Sequence, residues 1–272
     1  MAALARTLPR AVAPGPLPGD VRLMNAVASA IFALALLGAG WAALQWLARS
    51  PAFAIRSIRV EGDLQRISAE SLRAGAAPRL AGNFFSADLA RARAAFEAVP
   101  WVRRASVRRV WPDRLVVRIE EHRAAALWQG DEREDRLVNS HGEVFTANVG
   151  DVEDEALPAF SGPAGQSAPM LALYRALLPV LRAQDMDVEQ LALSTRGSWR
   201  VLLDSGATLE LGRGTEADVL ARTQRFVRTL PQVRERWRAP LEYADLRHAD
   251  GYAVRLRGVT TTPAAAATRP AL

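Results

Sequence analysis
The chain has 272 residues, half of them hydrophobic and 24% charged, with a net charge of +6. That is enough apolar material for one or two folded units and too much for a disordered chain. With no cysteine it excludes disulfides, thiolate metal sites and cysteine nucleophiles, though this assigns no compartment. All 35 basic residues are Arg, scattered among Asp and Glu rather than gathered in one patch, which argues against nucleic acid as the partner.

Residues 26–48 read AVASAIFALALLGAGWAALQWLA, about 23 uncharged residues, long enough to cross a ~30 Å hydrocarbon core as a helix. Trp41 and Trp46 sit near one end as an interfacial aromatic pair. A cleaved signal peptide has a shorter apolar region, so retention is expected despite the small-x-small pattern at Ala52, Phe53 and Ala54. Arg6, Arg10 and Arg22 precede the span and Arg49, Arg56 and Arg59 follow it, close to a tie under the positive-inside rule. The short leading tail (residues 1–25) and long trailing body have the layout of a signal anchor, which places the N-terminus in the cytoplasm and the body outside. Ala35, Ala39 and Ala43 form a small-xxx-small stripe, read equally well as a helix-packing face or as the chain's general richness in Ala.

Residues 53–123 form the first soluble unit. A strand over 55–62 ends at Gly62, and a short helix opens at Ser68. A second helix over 88–98 has Asp88 at its start and stops before Pro100. Strands over 102–110 and 114–120 flank a turn of Trp111, Pro112 and Asp113. Alternation in the second strand puts Leu115, Val117 and Ile119 on one face and Val116, Arg118 and Glu120 on the other. Trp101 and Trp111 are expected to be packing residues of this β-α-α-β-β unit. Arg103, Arg104, Arg108, Arg109, Arg114 and Arg118 read first as a solvated sheet face, with acidic partners or lipid headgroups as the other reading.

Residues 124–260 form the second unit. Two short strands surround a turn at 139–142, and 151–168, with Pro158, Gly162, Pro163 and Gly165, reads as a loop. A helix follows over 170–183 with Pro179 inside it. Strands are expected over 191–193, 199–203 and 207–211, then a helix over 215–229 and a hairpin of 241–247 with 252–257 around residues 249–251. The remainder, 261–272, reads as a disordered tail.

No chemistry surfaces. His122, His141 and His248 are far apart and fall in no metal or triad motif, and there is no G-x-S-x-G and no P-loop. The acidic runs at 131–135 and 151–155 lie in expected loops and read as solvated charge. The expectation is therefore a protein with no catalytic residue, no metal and no cofactor.

The ordered run F-x-I-x-x-I-x-V-x-G from Phe53, then PWV-x-x-A-x-V-x-R-x-WP-x-x-L-x-V-x-I-x-E from Pro100, then Ala126, Leu127 and Trp128, resembles the FtsQ/DivIB family of bacterial cell-division proteins. The stretches 194–199, 209–213 and 245–247 resemble that family's C-terminal region. The resemblance implies an α+β fold: an N-terminal transmembrane helix, a small β-α-α-β-β POTRA domain, then a larger mixed α/β sheet domain. It implies a non-enzymatic bitopic scaffold of the divisome at the septum, linking early to late division proteins. Its partners would be FtsB and FtsL outside the inner membrane, with FtsK and other divisome components as further candidates.

The final hairpin is the expected partner site, because a last strand with a free edge can accept a partner strand. The candidate residues are Arg196, Tyr243, Arg247, His248, Asp250, Gly251, Tyr252, Val254 and Leu256. Arg196, Arg247 and Gly251 match the family pattern. The two Arg would pair bidentately with partner carboxylates. His248 stands where relatives often have an aromatic residue and Leu256 where some have Trp, which leaves Tyr252 or Tyr243 to supply the anchor. Two other readings stay open: another POTRA-type transport or secretion chaperone, and a membrane-tethered cell-wall enzyme. An outer-membrane POTRA protein would continue into a barrel of ~10-residue amphipathic strands, which the sequence lacks.

Overall fold
The computed structural model describes residues 19–62, 64–76, 83–130, 136–248 and 250–259. The expected tails (1–18 of the leading one, and 261–272), the acidic run at 131–135 and Ala249 of the last turn lie outside these residues. The first element is a helix, α1 (Gly19–Arg49), with no buried residue along its length. It starts seven residues before the apolar run, so residues 19–25 are helical rather than part of a flexible tail. At 31 residues it is about 46 Å long, enough for the hydrocarbon core and its interfacial layers. It is the one helix among the described residues long and apolar enough to span a membrane.

A turn of 3-10 helix (Pro51–Phe53) leads into β1 (Ser57–Glu61), followed by α2 (Ala69–Ala76), α3 (Leu89–Glu97), β2 (Val102–Val110) and β3 (Arg114–Glu121). The order is the β-α-α-β-β expected. Asp88 caps α3 by accepting from the Ala90 and Arg91 amides at 2.9 and 3.0 Å, which satisfies donors the first turn leaves unpaired. The sheet runs β1-β3-β2, with β1 parallel and β2 antiparallel to β3. Leu115, Val117 and Ile119 are buried as expected, and Val116 on the opposite face is buried too. Trp101 packs as expected at 5% exposure, but Trp111 does not: it stands in the β2–β3 turn at 72% exposure. Aromatic content near a strand end does not distinguish a core residue from one the turn turns outward.

The second sheet has nine strands in the order β12-β11-β10-β9-β8-β7-β4-β5-β6. They are β4 (Ala124–Gln129), β5 (Arg136–Asn139), β6 (Val144–Thr146), β7 (Ala159–Ser161), β8 (Val188–Leu193), β9 (Trp199–Leu203), β10 (Thr208–Gly212), β11 (Leu241–Asp245) and β12 (Ala253–Leu256). Helices α4 (Ser167–Arg182) and α5 (Glu216–Trp237) pack on each other and against β8 and β10. The main core lies between them and the sheet, around Phe160, Leu177, Leu191, Val201, Leu209 and Phe226.

Several elements differ from expectation. No strand is expected over β4, and β8 starts at Val188, three residues earlier than expected. The segment read as a loop contains β7, a three-residue strand in the middle of the sheet, parallel to both neighbours, with Phe160 fully buried. α4 begins at Ser167 because Pro169 falls in the first turn, where no helical N–H is required. α5 continues past Pro231 to Trp237, ended by Arg238 in the left-handed region, with Val233 packed on the main core and Arg234 Nη1 donating to the Gln184 carbonyl at 3.2 Å. Its start is fixed by a capping box between Thr215 and Asp218.

The two units share apolar packing. β5 lies between two cores: Val138 belongs to the main one, while adjacent Leu137 joins Trp101, Val102 and Ile119 of the first unit, with Ala147 and Val152. Arg103 crosses the same boundary, donating from Nε and Nη2 to Glu143 at 2.8 and 2.9 Å and from Nη1 to Glu120 at 2.5 Å.

Candidate partner-binding edge
β12 is the outermost strand of the large sheet, paired antiparallel to β11 on one side and to no strand on the other among the described residues. Alternation sorts its side chains. Val254 and Leu256 point to the helix-covered face, Leu256 buried and Val254 packed against the main core. Ala253 and Arg255 are exposed on the other face. Just before β12, Tyr252 also turns inward. Its hydroxyl pairs with Thr229 Oγ1 at 2.6 Å, and its ring meets Phe226 edge-on at 5.2 Å. Tyr243 is the cross-strand partner of Arg255, whose guanidinium lies 5.9 Å from the Tyr243 ring centre. Of the two tyrosines, Tyr252 is engaged by α5, and Tyr243 is half-buried on the open face. Arg255 and Ala253 were absent from the sequence-derived set. The alternation Ala, Val, Arg, Leu already marks them as the outward pair.

Arg247 follows β11 and holds a carboxylate of its own chain. Its Nε donates to Asp245 Oδ1 at 2.8 Å and its Nη2 to Oδ2 at 2.5 Å, and its backbone N–H reaches Oδ1 at 3.0 Å. Asp245 is buried, and the Arg247 guanidinium holds its carboxyl down to about 2. Gly212 lies against the stem of Arg247. It adopts φ 78°, and a Cβ there would come within 2.9 Å of Arg247 Cγ, so the position suits glycine on both counts.

Arg196 is exposed in the turn between β8 and β9 rather than on a strand. The register puts that turn at the same end of the sheet as the β11–β12 turn, because Trp199 pairs with Gly212 and Glu210 with Asp245. The exposed His248, Asp250 and Gly251 lie at that end as well. The structure thus gathers Tyr243, Arg247, His248, Asp250, Gly251, Tyr252, Val254 and Leu256 around one hairpin, and sets Arg196 at the same end but apart from it.

Comparison with known proteins matches two family models to this architecture: "POTRA domain, FtsQ-type" over residues 53–122, and "Cell division protein FtsQ/DivIB, C-terminal" over residues 126–247. The chain belongs to the FtsQ/DivIB family of cell-division proteins. It is 45% identical over 241 residues to the cell division protein FtsQ of Burkholderia pseudomallei, covering 88% of this chain and 94% of that one. It is 40% identical to FtsQ of Thiomonas arsenitoxydans, over 91% of both chains. To FtsQ of Bordetella pertussis it is 38% identical, over 87% and 92%. The FtsQ/DivIB C-terminal match ends at residue 247, so β12 lies beyond it. Family membership together with α1 fits a single-pass membrane protein.

Proposed function
We propose that this chain is a non-enzymatic bitopic scaffold of the divisome that binds FtsB and FtsL outside the bacterial inner membrane and links early to late division proteins at the septum. In this reading the N-terminus is cytoplasmic, residues 53–123 are the POTRA domain and residues 124–260 the partner-binding domain. FtsK and other divisome components are further contacts. The supporting observation is the outer edge of β12, which no strand among the described residues pairs, in an FtsQ/DivIB chain. An added strand would pair with it through main-chain hydrogen bonds. Its inward side chains would extend the core beside Val254, and its outward ones would lie beside Arg255. Arg196, Tyr243, Arg247, His248, Asp250, Gly251, Tyr252, Val254 and Leu256 are the proposed contact set.

Hydrogen exchange of the full chain with and without the FtsB–FtsL complex tests this. The β12 amides that point away from β11 should exchange at least tenfold more slowly in the complex. Binding that leaves those amides unprotected would move the site elsewhere.

A further inference from the structure
The exposed Trp111 belongs neither to a core nor to the β12 edge, and its position is fixed by a chain of contacts leading back to α1. The last turn of α1 is tied to the first soluble unit by Asn83, whose Nδ2 donates to the Leu47 carbonyl at 2.8 Å. The 3-10 turn after α1 folds back on it, with Phe53 N–H donating to Ser50 O. Phe84 N–H then donates to Phe53 O at 2.8 Å, and the Phe85 ring meets those of Phe53 and Phe84 at 5.2 and 5.3 Å. Arg56 N–H donates to Asp113 O at 2.9 Å, so the β2–β3 turn sits beside the segment leaving α1. Arg109 Nη2 donates to Ala87 O at 2.5 Å and joins that end of β2 to the Phe84–Phe85 loop.

These links make one surface at the exit of α1, and its composition is distinctive. Trp111 is 72% and Phe85 46% exposed. At the turn Arg56 and Arg114 are 69% and 59% exposed at the side chain, each 3.9–4.0 Å from Asp113, and further along the same sheet face Arg108 is 64% exposed and 3.9 Å from Glu61. Outward-facing aromatic rings set among loosely paired Arg are the residue types that partition into a bilayer's headgroup layer, the rings at the interface and the guanidinium groups on phosphates. Trp41 and Trp46, towards the C-terminal end of α1, are of the same interfacial residue type.

We propose that this surface is a lipid-binding face: Trp111 and Phe85 enter the headgroup layer of the leaflet from which α1 emerges, and Arg56, Arg108 and Arg114 bind anionic phospholipid headgroups. The contact fixes the tilt of the first unit on the membrane. It rests on α1 being a membrane span but not on which side the body occupies.

The test uses the full chain in vesicles of phosphatidylcholine with or without phosphatidylglycerol. The chain lacks cysteine, so Ser57→Cys, at the start of β1 and paired with Arg114, carries a spin label beside the surface. Ser205→Cys in the β9–β10 turn carries the distant control. With phosphatidylglycerol, a nickel chelate on lipid headgroups should relax the Ser57 label at least threefold more than the Ser205 label. Trp111→Ser should reduce that excess, and Trp111→Ser with Arg108→Ser and Arg114→Ser should abolish it, with unchanged melting of the soluble body. Equal relaxation of the two labels in both lipid mixtures overturns the proposal, as does a triple variant that behaves like wild type. Protection of the Ser57 label that appears only when the FtsB–FtsL complex is added makes the surface a protein contact and also overturns it. Flotation separates the two premises: a chain that fails to float with vesicles fails as a membrane span, whereas one that floats with an aqueous Ser57 label fails at this surface alone.

Discussion
The Trp101 indole N–H donates to Asp151 Oδ2 at 2.8 Å across 50 residues of chain, joining the first unit to the 3-10 turn after β6. The same indole packs edge-on against Phe145 at 5.3 Å and carries the Arg66 guanidinium 4.7 Å above its ring centre. One side chain thus closes the boundary between the two units by burial, a hydrogen bond and a cation–π contact.

Trp101→Ala should cost about 3–5 kcal/mol, the range for truncating a buried Trp. Asp151→Ala should cost about 1 kcal/mol, since the indole N–H loses its acceptor at a partly solvated site. Because Leu137 and Val152 share that core, the midpoints of the two units should fall together in Trp101→Ala. Thermal unfolding of the full chain followed by separate probes in each unit checks this, and a shift confined to residues 53–123 would disprove the joint core.

Acid should act on the sheet end through Asp245. Its carboxyl titrates at about 2, below its ordinary 3.8, because Arg247 stabilises the charged form. A folded value below the unfolded one means the stabilisation is complete above pH ~4 and is lost as pH falls from there to about 2. Glu143, held to about 2 chiefly by Arg103, is lost over a similar window at the boundary between units. Asp245→Asn should lower stability at neutral pH by roughly 1–3 kcal/mol and make the remaining profile between pH 4 and 2 shallower. Melting temperature measured against pH in both proteins decides it; parallel profiles would mean that Asp245 does not carry this sensitivity.

Much of the architecture was legible because its signals are local. The uncharged run of α1, the Asp88 cap, the alternation of β3 and the hairpin ending in β12 each depend on residues close in sequence. What escaped was set by distant partners. β7 is three residues among Pro158, Gly162 and Pro163, and it is a strand because β4 and β8 supply hydrogen bonds on both sides. Trp111 looked like core because its ring is large and apolar, yet the turn holding it is fixed by Arg56 outside that core. At the candidate site the hairpin and its family-matching Arg residues were legible. The direction of Tyr252, held by Thr229 and Phe226, and the occupation of Arg247 by Asp245 were not, since both depend on side-chain geometry that spacing leaves open.

The two Arg residues of the proposed partner site should behave differently. Arg247 already binds Asp245, so Arg247→Glu sets a second, half-exposed carboxylate against the buried Asp245 and acts on the fold before it acts on a partner. Among the described residues Arg196 holds no such ion pair, being exposed in the β8–β9 turn. β9 stands three strand places in from β12, about 14 Å at ordinary strand spacing, and an added strand would lie ~5 Å beyond β12. Arg196 therefore does not reach the strand that adds to β12. In the proposed reading it would meet a different part of the partner, one crossing the turns at that end of the sheet. Arg196→Glu should weaken binding of the FtsB–FtsL complex by more than ~1.5 kcal/mol without moving the melting temperature, and should leave unchanged the binding of a peptide limited to the strand-forming segment. Calorimetry with the complex and with the peptide measures both, and an equal loss for the two ligands would place Arg196 on the added strand and refute this geometry.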